Sequence, residues 1–88
     1  MSAASIEDIR AKLVAALQPE SLEVVDEGHL HIGHAGEGSG HFRVRIASAA
    51  FAGKGAIERH RLVYAAVNDL IGNGIHALAI EARATDET

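Results

Sequence analysis

Ile6, Ile9, Leu13 and Leu17 recur at spacings of three and four, which lines them along one stripe of a helix. Ser5 stands ahead of that stripe as an N-cap, Glu7 and Asp8 occupy the first turn, where the helix dipole favours negative charge, and Pro19 marks the end. The following SLEVVDE predicts a strand with Leu22 and Val24 on one face and Glu23 and Val25 on the other. HFRVRIAS alternates cleanly, Phe42, Val44 and Ile46 against His41, Arg43 and Arg45, the pattern of a sheet with one packed face. FAGKG then turns the chain. Over residues 56–71 the apolar positions Ile57, Tyr64, Val67, Leu70 and Ile71, with Val63 beside them, predict a second helix that Gly72, Asn73 and Gly74 stop. IHALAIEAR is apolar on both faces at Ile75, Ala77, Leu78, Ala79 and Ile80, as in a well-covered strand, and the polar ATDET tail is expected to fray.

The predicted order is α-β-β-α-β, an α+β fold: a two-layer sandwich of a three-stranded mixed sheet with both helices on one face. The first two strands form an antiparallel hairpin with a long connection. The second and third are joined through a helix and so run parallel. With 88 residues the chain makes one domain over 1–88, its core lying at about 6–84. Roughly half the residues are apolar, but only three are aromatic, so the core is built mainly from Ile, Leu, Val and Ala. No signal-peptide layout and no apolar run of membrane-spanning length is present, so a cytoplasmic chain with no membrane partner is expected. The net charge of -4 opposes general nucleic-acid binding, because such affinity rests largely on neutralised phosphates.

The connection GHLHIGHAGEGSGHF holds four of the six histidines, and the chain has no cysteine. Without thiolates it has no disulfide framework and no self-contained iron-sulfur site. His29, His31 and His34 satisfy the ligand types of a zinc or nickel site. A glycine-rich loop gives them no rigid scaffold, however, and Asp26 and Glu27 do not stand at HExxH spacing. No nucleophile elbow, P-loop or dinucleotide fingerprint is present, so an enzyme is not expected. The plain alternative for the loop is a solvated polar segment. For His76, in an apolar strand, the plain alternative is a hydrogen-bonded structural histidine.

Taken together, LEVVDE, the histidine-bearing loop, HFRVRIAS, FAGKGAIERHRLVY and IHALAIEA resemble the BolA family over residues 6–84. Arg59-His60-Arg61 with Val63 and Tyr64, and the His76-Ala77-Leu78 opening of the last strand, are the most telling pieces. The resemblance implies a fold like the type II KH domain, in agreement with the order read from periodicity. It also implies a partnership with a monothiol glutaredoxin in iron-sulfur assembly, trafficking or iron sensing, with a shared [2Fe-2S] cluster to which glutaredoxin and glutathione bring sulfur and this chain brings imidazole. No cofactor is then expected in the isolated chain, which would be a monomer or a weak homodimer. Clusters do accept histidine in place of cysteine. By position, His76 is the first candidate ligand and His31 the second, with His34 its rival. His29 has no assigned role, and His41 is expected to be structural, holding the loop base through a side-chain to backbone bond. Other members of the family are described as DNA-binding regulators of cell morphology and stress response, which is the alternative reading.

Arg43 and Arg45 share one strand face, and Lys54, Arg59 and Arg61, with His60, lie at the turn and start of the second helix, so the set forms a candidate partner or nucleic-acid surface. The plain reading of these charges is a solvated face or salt bridges to Glu23, Glu58 and Glu81. KH domains clamp a nucleic-acid backbone with GxxG. Here Gly53-Lys54-Gly55 is one residue short, and Gly33-His34-Ala35-Gly36 falls between strands rather than helices.

Overall fold

The computed structural model describes residues 5–27 and 40–85. Five elements are set out in the expected order: α1 (Ile6–Leu17), β1 (Ser21–Asp26), β2 (His41–Ala47), α2 (Ala56–Ala66) and β3 (Ala77–Arg83). The sheet order is β1-β2-β3, with β2 central, antiparallel to β1 and parallel to β3.

α1 begins in a capping box, Ser5 Oγ accepting from the Asp8 N–H and the Asp8 carboxylate from the Ser5 N–H, each at 3.1 Å. It buries Ile9, Leu13 and Leu17 and ends with Gln18 in the left-handed region at φ 46, just before Pro19. The sheet alternates as its sequence requires. The rows Leu22–Ile46–Ala82 and Val24–Val44–Ile80 face the helices, and the rows Glu23–Arg45–Glu81 and Val25–Arg43–Ala79 face away. α1 packs on β1 and α2, and α2 on β3, so one core of Ile9, Leu13, Val44, Val63, Val67 and Ile75 lies between the layers.

Three features differ from the sequence reading. The second helix stops at Ala66, and Asn68–Leu70 forms a 3-10 turn before Gly72 (φ +81) and Gly74 (φ +127). Val67 is fully buried as that helix's C-cap, and the tighter turn after it, continued by residues of poor helix propensity, brings Ile75 back into the core. The buried stripe of α2 is also rotated. Val63 and Val67 point inward with Leu62, Ala66 and Leu70 beside them, while Ile57 and Tyr64 are exposed. Lastly, β3 begins at Ala77 and is half-buried rather than well covered, because it is an edge strand with one face open.

The turn between β2 and α2 holds a core residue. Ala49–Phe51 is a 3-10 turn whose Phe51 is fully buried, and it is capped by Ser48. Both flanking strands have helix side chains on their carbonyls: Arg10 on Leu22, and Arg59 and Tyr64 on Ala82 and Leu78. Such contacts blunt sheet edges that would otherwise offer unpaired backbone.

Candidate functional site

The antiparallel pairing of β1 with β2 brings both ends of the histidine-rich connection to one edge of the sheet. Glu27, just past β1, donates its N–H to the His41 carbonyl at 2.7 Å. Gly40, just before β2, accepts at its carbonyl from the N–H groups of both His76 (2.8 Å) and Ala77 (3.0 Å). His76 therefore sits against the end of the loop, immediately ahead of β3, and is exposed rather than enclosed in an apolar strand. His41, half-buried, holds the loop base through its backbone carbonyl.

The approach of Gly40 to His76 is unusually close. Gly40 is buried at φ +75, and a Cβ on it would collide with the Gly74 carbonyl oxygen and lie 2.7 Å from the His76 nitrogen. Only glycine fits that juncture as it stands. The sequence places glycine there but gives no sign of what it would meet.

His31 and His34, with His29, lie outside the described residues. Among the described residues no group of three or more His, Cys, Asp or Glu side chains is arranged to hold a metal ion. The one candidate ligand in the described region is thus His76.

The outer sheet face is a ladder of opposite charges. Arg43 bonds Glu27 at 2.7 Å and Glu81 at 3.0 Å, and Arg45 meets Glu23 at 3.3 Å and Glu81 at 3.4 Å. The hydrogen bond and charge of Glu27, then those of Glu81, raise the Arg43 pKa further above its ordinary value. Glu23 and Glu81 were expected partners, whereas Glu58 instead accepts from the Gly55 N–H at the start of α2. Three carboxylates thus face two guanidiniums on this surface. The pairing of Glu27 with Arg43 also fixes the loop's first anchor from the side, a contact absent from the sequence reading, which named Glu23, Glu58 and Glu81 as the salt-bridge partners.

The remaining basic residues lie on or near α2. Arg59 is half-buried with its guanidinium on the Ala82 carbonyl, whereas Lys54, His60 and Arg61 are exposed. A shallow groove of about 530 Å³ opens among Ser21, Glu23, Arg45, Glu81 and Arg83. It lies at the opposite end of β3 from His76, so it is not part of the histidine edge. No helix among the described residues is long and apolar enough to cross a membrane.

The family profile of the BolA-like protein matches residues 13–87. The chain belongs to the BolA family. It is 47% identical over 75 residues to BolA-like protein 1 of Homo sapiens, covering 85% of this chain and 54% of the human protein. It is 43% identical over 86 residues to SufE-like protein 1, chloroplastic/mitochondrial, of Arabidopsis thaliana, covering 90% of this chain and 23% of that protein. The chain thus spans about half of one of these relatives and less than a quarter of the other. Among solved structures, the BolA domain of SufE1 from Arabidopsis thaliana superposes with a TM-score of 0.83 at 42% identity, covering 98% of this chain and 100% of that one. The α+β architecture is accordingly that of BolA domains.

Proposed function

We propose that this chain is a non-enzymatic adaptor of iron-sulfur metabolism, working in the cytoplasm. It binds a monothiol glutaredoxin and contributes imidazole nitrogen to a shared [2Fe-2S] cluster, from His76 and from His31 or His34. The supporting observation is that the backbone of His76 is hydrogen-bonded to the end of the histidine-bearing loop. An extended chain spans at most about 3.5 Å per residue. Chain length alone therefore limits the reach of His31, four positions past Glu27, to ~14 Å from that anchor, and of His34, six before Gly40, to ~21 Å from the other.

The donor set suits such a group. An exposed imidazole at a sheet edge is open to a second molecule, and a chain without cysteine must obtain thiolate from its partner. Family membership and a relative named SufE-like are consistent with the same area of metabolism. Arg61 and His60, exposed on α2, and Arg59 and Lys54 nearby are the groups available to meet glutathione carboxylates or an acidic partner face. Arg43 and Arg45 are already engaged by glutamates, which weakens the DNA-binding alternative.

The test is anaerobic cluster reconstitution of the purified chain with a monothiol glutaredoxin and glutathione, followed by gel filtration with visible spectroscopy. A coloured heterodimer is expected. A colourless mixture of separate proteins, together with salt-sensitive binding of the chain to promoter DNA, would overturn the proposal.

A further inference from the structure

We infer that Gly40 is a positioning residue for His76, acting through a main-chain clasp that joins the loop end to the start of β3. The functional part of this inference rests on the proposed ligand role of His76; the clasp itself does not. The Gly40 carbonyl is shared by two consecutive amides, those of His76 and Ala77. The space a Cβ would occupy is filled by the Gly74 carbonyl oxygen, with the His76 nitrogen at 2.7 Å and the Gly74 carbonyl carbon at 2.9 Å. All three are backbone atoms, so no rotamer change relieves the contact. Ile75, between Gly74 and His76, is buried in the core and pins that segment from below.

A side chain at position 40 therefore has two outlets. The Gly74–His76 backbone can move away, which displaces His76 directly. Alternatively, Gly40 can leave its left-handed conformation, which turns its carbonyl away from the two amides. Both outlets release His76 from the loop end, so the placement of the ring depends on a residue with no side chain of its own.

The fold supplies matched controls. Gly53 (φ +74) and Gly72 (φ +81) share the left-handed backbone, yet a Cβ on either meets nothing within 4 Å. Gly53→Ala and Gly72→Ala thus carry the conformational strain without the collision. The experiment compares Gly40→Ala with these two and with His76→Ala. It reads amide hydrogen exchange in the free full-length chain and the visible circular dichroism of the cluster-loaded glutaredoxin complex. Gly40→Ala should lose at least tenfold protection at the His76 and Ala77 amides. The Ser48 amide, bonded to the Arg83 carbonyl at the other end of β3, should keep its protection, as should all three sites in the control variants. The Gly40→Ala complex should also shift its spectrum toward that of His76→Ala.

Unchanged protection at His76 and Ala77 in Gly40→Ala, or equal losses in the control variants, would overturn the clasp. Lost protection with an unchanged spectrum, where His76→Ala does change it, would overturn the positioning role. If His76→Ala leaves the spectrum as it was, the ligand reading falls, and the exchange data still decide the clasp. Should Gly40→Ala not fold, scalar couplings across the hydrogen bonds from the Gly40 carbonyl in the unaltered chain take its place: their detection supports the clasp and their absence overturns it.

Discussion

Replacing Ser48 with alanine removes one hydroxyl that holds three segments together. Ser48 is fully buried; its Oγ donates to the Leu17 carbonyl at 2.6 Å and accepts from the Ala50 N–H at 3.0 Å. Leu17 supplies one of the terminal carbonyls of α1, which lack a partner further along the helix, and the last turn contains no basic residue to serve it. In Ser48→Ala that carbonyl is left without its donor in a buried position, at a cost of about 1–3 kcal/mol. The Ala50 N–H loses its cap, about 1 kcal/mol, part of which water restores because Ala50 is exposed. The combined loss is about 2–3 kcal/mol. For a domain of this length it lowers Tm by roughly 10–20 °C. Urea unfolding followed by far-UV circular dichroism measures it, with Ser5→Ala as comparison, since that change removes an exposed cap worth about 1 kcal/mol. The m-value should not change. A Ser48→Ala loss no larger than that of Ser5→Ala would refute the reasoning, because burial would then add nothing to the cap.

Phe51→Ala should destabilise by about 3–5 kcal/mol, whereas Ile57→Ala, on the exposed side of α2, should stay within about 0.5 kcal/mol of the original chain in the same urea assay. The hydrogen bond from Lys12 at 2.8 Å holds the Asp69 carboxyl below its ordinary range. A carboxyl lowered in the folded state contributes stability above its unfolded pKa and loses it as pH falls through the folded value. Asp69→Asn should therefore shrink the drop in Tm on acidification from about pH 5 to about pH 2 at low salt, by a small amount because both groups are solvent-accessible.

Much of this fold is written locally. The period-two alternation of residues 41–47 and the stripe of α1 between Ser5 and Pro19 each carry their own signal, and the structure follows them. What periodicity could not supply depends on contacts distant in sequence. Ile57 and Tyr64 are apolar yet face solvent, and a one-dimensional pattern counts them as core. Phe51 sits among turn residues and reads as turn, but the closure of Ser48 onto the end of α1 sets the turn that carries it inward. The start of β3 falls two residues later than its apolar run suggests, because the Gly40 carbonyl takes the amides of His76 and Ala77 before the ladder begins. For the candidate site, the chemistry of histidine without cysteine is legible in composition. That the loop returns to His76 follows only from strand register. The clasp at Gly40 and the brace of Glu27 on Arg43 had no signal in the sequence beyond the residue types themselves.

The most direct measurement is the visible circular dichroism of the cluster-loaded heterodimer formed with His76→Ala, set against His29→Ala, which removes a histidine without an assigned role. A changed spectrum and faster cluster loss for His76→Ala, with His29→Ala matching the original chain, is the predicted result. Identical spectra and lifetimes for all three complexes would contradict a role for His76 in holding the cluster.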